Sequence, residues 1–374
     1  MLLVAAVMLA CALSAADAYE HEQQATRVLQ ASIVARRALT AKVALRNELG
    51  LIDSAFDSSE PLDTATANEI AAQQAQTVAD FGLIVEGLDR AGEGHVEMRA
   101  LLSRYAGLFR DTMASLRLPG LERRKNFYQD WQTLMELLTA QVDARSGKLS
   151  QDVAGADPFV DDMIRINDAI WRMRNDAGRD RGVVQWAIGR DQMPAPGVMR
   201  INDEVTGQID ARWADVLEDL RLHTSPPPLI AAIQDARKTY FAQYRSVRER
   251  MYGQLLRGSP PSMTSRQWFR FSNLGLESIA RIGQTTLALT AAHAASEVAA
   301  AQRHFYAAIA MMLASMALAI LAASYVMRLV ISPLRRITQT MKVIAGGNLD
   351  EKIPFRDRVD EIGQFAQSLA MFRD

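Results

Sequence analysis

The sequence predicts an all-α membrane protein, on three observations. Phe305 to Met327 is a run of 23 residues without one charge, and about 20 such residues cross a bilayer as a helix. Residues 19 to 303 are rich in Ala, Leu, Glu, Gln and Arg, the types that favour helix. Apolar residues there recur at steps of three and four, as on a helix face, and not at the alternation of a strand.

The elements follow in order. Leu2 to Ala16 is uncharged and mostly apolar, but short for a span and with no basic residue before it. Residues 1–18 are expected to be a first transmembrane helix whose N-terminal part is missing; the alternative is a cleaved signal segment, since Ala16-Asp17-Ala18 resembles a cleavage site. Met8-Leu9-Ala10-Cys11 is a poor lipobox. Breakers then cut residues 19 to 303 into eight helical segments: Ser58-Ser59-Glu60-Pro61, Gly92-Glu93-Gly94, Pro119-Gly120, Asp157-Pro158, Pro194-Ala195-Pro196-Gly197, Ser225-Pro226-Pro227-Pro228 and Gly258-Ser259-Pro260-Pro261. Ser225 supplies a capping oxygen, and Pro226 a first helical residue whose missing N–H is no loss. The helix after it carries Leu229, Ile233, Ala236, Tyr240, Tyr244, Val247, Met251 and Leu255 on one stripe. No breaker interrupts the chain from Thr264 to Arg328.

An internal repeat divides this region. Arg46-Asn47-Glu48-Leu49-Gly50 is similar to Arg174-Asn175-Asp176-Ala177-Gly178, offset by 128 residues, and Trp131 stands to Trp268 at an offset of 137. Two tandem helical-bundle modules are expected, 19–155 and 156–303.

The repeat also marks candidate ligand residues. Met163, Ile166, Ile170, Met173, Ala177, Val184 and Ala187 form a core stripe that Asp180 interrupts, and Arg174 lies on its flank. Arg46 holds the same flank in the first module. A guanidinium offers a planar fork of donors, suited to nitrate or a carboxylate. Arg46 and Arg174 are therefore the candidates to hold a small anion between helices, with Arg36, Arg37, Arg179 and Arg181 as helpers. Gly50 and Gly178 would let a neighbour approach closely. The competing reading is structural: Arg172, Asp176 and Arg179 can pair along a solvated face, and flanking arginines lay their stems over a core.

Beyond the apolar run, Arg328, Arg335, Arg336 and Lys342 precede any acid until Asp350, which puts the C-terminal side in the cytoplasm and residues 19–303 in the periplasm. Ser315, Ala319 and Ala323 recur every four residues in the run, spacing that lets membrane helices pack closely. In the tail, Ile337, Met341 and Ile344 make one stripe and Ile362, Phe365 and Leu369 another. Pro333, then Gly347, Leu349 and Ile353, then Asp360, Glu361, Ile362 and Gly363 follow in order.

Those residues resemble the HAMP domain of bacterial signalling receptors, over about Ile331 to Asp374. Pro333 matches the opening of its first helix, Gly347, Leu349 and Ile353 its connector, and Asp360-Glu361-Ile362-Gly363 the start of its second helix. The resemblance implies a parallel, dimeric four-helix coiled coil at 328–374, a homodimer in the bacterial inner membrane, and signal transduction to an output domain outside this chain. The ending Met371-Phe372-Arg373-Asp374 resembles HAMP units that feed chemoreceptor outputs; sensor kinases and diguanylate cyclases are the alternatives, and a structural or scaffold helical membrane protein is the alternative from another class. The eight-segment region is similar in architecture to nitrate/nitrite-sensing and helical bimodular sensors.

Other classes find little support. A net charge of −1 gives no bulk field for nucleic acid. There is no P-loop and no Gly-x-Ser-x-Gly, the five histidines are scattered, and Cys11 stands alone. No catalytic set, metal or cofactor is expected, and no enzymatic activity.

Overall fold

The computed structural model describes residues 2–56, 58, 60–91, 96–123, 125–153, 155, 157–222, 226–348 and 350–373, with no strand among them. They divide into two compact units, Gln24–Ser296, and Met1–Gln23 with Glu297–Asp374.

In the larger unit the helices are the second half of α1 (Leu2–Phe56), α2 (Thr64–Ala91), α3 (Val96–Leu116), α4 (Lys125–Val153), α5 (Pro158–Arg190), α6 (Pro196–Leu222), α7 (Pro227–Ala236), α8 (Arg245–Leu256) and the first half of α9 (Ser265–Val326). A π-helical turn, Arg237–Tyr244, joins α7 to α8 in one continuous rod. Counted so, the eight expected segments are present. The joints are where the breakers stand, except that Ser59, Gly92-Glu93-Gly94 and Ser225 lie outside the described residues. Asp157 shows how a joint works: its carboxylate accepts from the N–H of Phe159 at 2.7 Å and of Val160 at 3.2 Å, and Pro158 opens α5. The α7 start departs from expectation by one residue, with Pro226 extended at the N-cap and the helix beginning at Pro227.

The π turn has a sequence cause. The stripe residues Ala236, Tyr240 and Tyr244 advance by two steps of four, which overruns the 3.6-residue period; a wider turn keeps both tyrosines in the core. Their rings stack at 4.8 Å.

The apolar interior forms two main clusters. One unites α1, α2, α3 and α4 around Trp131, with Phe269 of α9 added. The other unites α5, α6, α7, α8 and α9 around Trp268. Both tryptophans paired by the repeat are fully covered. Two small clusters, Val28 with Val160 and Ala294, and Leu39 with Trp171 and Leu287, tie α1, α5 and α9 together.

In the smaller unit the apolar run is the second half of α9. Tyr306, Met311, Leu313, Leu318, Ile320, Leu321 and Tyr325 are exposed along it, as expected of a helix whose solvent is lipid. Among the described residues it is the one helix long and apolar enough to cross a membrane. Along it Phe305, Ala308, Met312, Ser315 and Ala319 are at least partly covered, as are Met8, Cys11, Ala15, Ala18 and Glu22 of α1. The Tyr19 and Phe305 rings lie 6.4 Å apart, and Gln302 Nε2 donates to Glu22 at 2.8 Å. After α9 come a π turn (Met327–Ile331), α10 (Ser332–Ala345) and α11 (Glu361–Arg373).

Two buried polar groups in the first cluster test this packing. Arg123 is satisfied by backbone alone: it donates to the carbonyls of Leu118 at 3.0 Å, Ala55 at 2.9 Å and Ser58 at 2.7 Å, groups left open where α1 and α3 end. Arg123→Met should lower the unfolding free energy of the full chain by about 3 kcal/mol, from loss of charge-assisted bonds and exposed orphan carbonyls; an unchanged urea midpoint would contradict this role. Glu48 is fully buried, and both its oxygens accept from the Tyr105 hydroxyl, at 2.7 and 2.8 Å. Burial outweighs the Thr77 and Tyr105 hydrogen bonds and pushes its carboxyl up from 4.5 to about 7. The folded state therefore binds this proton more tightly, so the contribution is full below about pH 4.5 and lost as pH rises through about 7. Glu48→Gln should match wild type at pH 4 and exceed it at pH 8, by up to roughly 3 kcal/mol. Equal urea midpoints at both pH values would refute it.

Candidate functional site

Helix α5 places Arg174, Gly178, Arg181 and Gln185 at steps of four, three and four, so one face carries them all. Across from it α1 brings Arg46, Leu49, Gly50 and Asp53. Together they line a cavity of about 950 Å³ inside the larger unit, completed by residues of α4 and of the α5–α6 joint. Gly50 is required: a Cβ there would lie 2.3 Å from the Phe269 ring and 2.5 Å from Arg181 Nη2. At Gly178 a Cβ would meet Arg174 Nη1 at 3.3 Å, a looser fit.

Two of the arginines, Arg174 and Arg181, are deeply buried, and Asp53 is the lining carboxylate that favours the charge of Arg181 and Arg46. Arg174 is 1% exposed. Its Nη2 donates to Asn47 Oδ1 at 3.1 Å, while Nε and Nη1 have no hydrogen-bond partner in the protein. Arg181 is buried too, with its guanidinium 4.8 Å over the Phe269 ring and Nη1 3.5 Å from Asn273 Oδ1; its Nε is unpartnered. The Nε of half-buried Arg46 is unpartnered as well. Burial, then repulsion from Arg181 and Arg46, pushes the Arg174 guanidinium down to about 9. Burial pushes Arg181 down to about 10, against the pull of Asp53. Both stay protonated at neutral pH, so positive charge is concentrated on one wall, and each idle buried donor costs about 1–3 kcal/mol.

Neighbouring charges are treated differently. Asp180, which interrupts the α5 stripe, is buried and accepts from Tyr244 at 2.7 Å, Asn202 at 2.7 Å and Arg248 Nε at 2.7 Å. Asp176 is held by Arg212 and lies 3.7 Å from Arg179. The solvated ladder of the structural reading survives only as that last contact, because Asp176 turns inward.

Four of the six arginines singled out from sequence line the cavity: Arg46, Arg174, Arg181 and, at the rim with its side chain 74% exposed, Arg179. Arg36 and Arg37 do not: they precede Arg46 by ten and nine residues on α1, roughly 15 Å along the axis, so the structure does not bring them to this cavity. Gln185, Asn175, Trp186 and Arg190 line the cavity without having been singled out. The step from Arg181 to Gln185 continues the polar stripe and could have found Gln185.

In the tail, α10 and α11 pack through Ile337, Ile353, Ala366 and Ala370. Pro333 is buried in the first turn of α10 and has no N–H for the Leu329 carbonyl four residues back. Arg358 Nη2 donates to that carbonyl at 3.2 Å and Arg358 Nε to Asp360 at 3.0 Å. Asp360 Oδ1 accepts from Gly363 N–H at 3.1 Å and so caps α11. Arg358, then this amide, holds the Asp360 carboxyl below its usual range. Gly347 has φ +97° and turns the chain out of α10. Glu361 adds an acid to the first turn of α11, and Ile362 is partly buried against the tail core. Leu349 lies outside the described residues. The stripes are shifted from expectation: Met341 and Phe365 are about half exposed, and Ala366 and Ala370 fill the core instead.

A family model for the HAMP domain matches residues 325–374. That domain indicates signal transduction in a transmembrane receptor. A solved structure described as "Structure of the NasR transcription antiterminator" shares the fold, with TM-score 0.51 and 16% identity, covering 96% of this chain and 97% of that one. No curated protein matches the chain.

The Asp360-Glu361-Ile362-Gly363 motif yields a sharp expectation. A Cβ at Gly363 would lie 1.9 Å from the Arg358 carbonyl oxygen. Gly363→Ala should therefore displace Arg358 and uncap α11, a penalty of about 1–3 kcal/mol. Hydrogen exchange of α11 amides should quicken by tenfold or more; unchanged exchange would show that the close contact is not required.

Proposed function

We propose that Gln24–Ser296 is the periplasmic sensor of an inner-membrane receptor and that its arginine cavity binds a small oxyanion, nitrate or a carboxylate. In this reading residues 19–155 and 156–303 act as two helical modules, and the binding state passes along α9 to the HAMP domain. The output is chemoreceptor-like, on the Met371–Asp374 resemblance, and the segment itself is a non-enzymatic input. The receptor works as a homodimer: Leu334 and Met341 on α10, with Phe365 and Phe372 on α11, are large apolar side chains left exposed by one chain, as coiled-coil partners require.

The observation that carries the reading is Arg174, a protonated guanidinium 1% exposed with two unpartnered nitrogens on a cavity wall. A structural arginine in this protein looks like Arg123, which is saturated by carbonyls. An uncompensated one is explained by a ligand that supplies the missing acceptors.

The test uses thermal unfolding of the full chain in lipid nanodiscs with nitrate, nitrite, succinate or glutamate. At one hundred times Kd an anion should stabilise by about 2.7 kcal/mol, a rise of roughly 5 °C. Arg174→Met should unfold at higher temperature than wild type without anion, by about 1–3 kcal/mol, since a buried unpaired charge is gone. The same variant should lose the anion response. An anion shift that persists in Arg174→Met, or no shift with any anion, would sink the proposal.

A further inference from the structure

We infer that the cavity takes an elongated organic anion, a carboxylate carrying an apolar body, and not a bare inorganic oxyanion; this rests on the anion-binding reading above. Size is the first argument. The volume is about 950 Å³; a water occupies about 30 Å³, and an oxyanion such as nitrate is of that order. Pockets of several hundred Å³ suit larger organic ligands. The lining of α5 extends from Arg174 to Arg190, which is roughly 24 Å of helix axis. A bare oxyanion would satisfy Arg174 and Arg181 at one end and leave the rest empty.

The lining also changes character along its length. At the Gly50 end the unpartnered nitrogens of Arg46, Arg174 and Arg181 gather. Two turns on, Val183 and Trp186 replace them, with Pro194 and Val198 of the α5–α6 joint. Arg190 lies 4.8 Å over the Trp186 ring and closes that end. Between the two regions stands the Gln185 amide, 2% exposed with Oε1 unpartnered, a polar anchor beside the body. Five arginines against two carboxylates line the whole, so the ligand is an anion and not a zwitterion of balanced charge. Gly182 lines the same stretch, and a Cβ there would meet nothing within 4 Å. The space beside it is open to an apolar chain.

The experiment is calorimetric titration of the full chain in nanodiscs with sodium nitrate, acetate, butyrate, hexanoate and phenylacetate. If the body is buried, each methylene added from acetate to hexanoate should tighten binding by about threefold to fourfold. Phenylacetate should bind at least as tightly as hexanoate. Gly182→Phe should flatten the series to within about threefold, and Trp186→Ala should weaken hexanoate by about tenfold; neither should alter affinity for nitrate. Arg174→Met should abolish all of it, which excludes partition into lipid. A flat wild-type series with nitrate bound as tightly as hexanoate would overturn the elongated ligand and leave the anion site standing. A series that survives both Gly182→Phe and Trp186→Ala would overturn the placement of the body. No binding of any anion would remove the anion site itself.

Discussion

A charge held out of water must find compensation, and Arg174 has one neutral partner. Its guanidinium reaches Asn47 of α1, and the same face of α5 brings Arg181 against Phe269 of α9. Three helices far apart in sequence therefore meet around positive charge that Asp53 offsets only in part. Apolar burial holds them there: the α5 stripe lies in one cluster, and α1 with Phe269 lies in the other. A lone guanidinium would open such a seam to water. The seam stays closed because Gly50 removes the one side chain that would collide with Phe269 and Arg181 together. Folding energy from two apolar clusters keeps these donors idle, which is the feature that the proposed anion site rests on.

How much of this was legible depended on the range of the interaction. Asp157-Pro158 and the α7 stripe are local chemistry, and the helices follow them closely. Arg46, Arg174 and Gly50 were legible because the repeat put them in equivalent registers. Arg181 was legible as a position and illegible as an environment: its burial comes from Phe269 and Asn273, almost ninety residues on. Arg36 and Arg37 lie two to three helical turns before Arg46 and do not line the cavity, a separation that helix rise makes readable from the sequence. Asp180 looked like a flaw in a core stripe. It is the hub of a satisfied network whose partners, Asn202, Tyr244 and Arg248, sit on α6 and the α7–α8 rod. In the tail, three- and four-residue spacing put Phe365 on the stripe, yet Ala366 and Ala370 of α11 are the residues buried against Ile337 and Ile353.

Pro333 sets a second constraint. A proline within the first turn of α10 leaves the Leu329 carbonyl without its helical N–H, and the π turn Met327–Ile331 lies immediately before it. Arg358 supplies the missing donor and binds Asp360, the cap of α11. The motif residues Pro333, Asp360 and Gly363 are thus joined by one side chain outside the motif. Movement of the backbone at Leu329 cannot leave the cap of α11 unaffected, which gives the HAMP resemblance a concrete linkage in this chain.

The proposed relay needs a ligand that interacts differently with two arrangements of α9, since equal affinity for both would shift nothing. Arg181 is placed to supply that difference. It touches α9 twice through its side chain, at Phe269 and Asn273, and its carbonyl accepts from Trp268 Nε1 at 3.2 Å. An anion that draws the guanidinium toward Arg174 competes with the Phe269 and Asn273 contacts while the carbonyl link stays. The ligand would then choose between positions of Trp268 and Phe269, one buried in each apolar cluster. Both residues belong to the same unbroken helix that ends at Val326, so the choice is made on the element that carries the apolar run. In the proposed relay the idle donors and the long helix are joined through Arg181, a charge of α5 held against α9, which is where a ligand would bias the position of that helix.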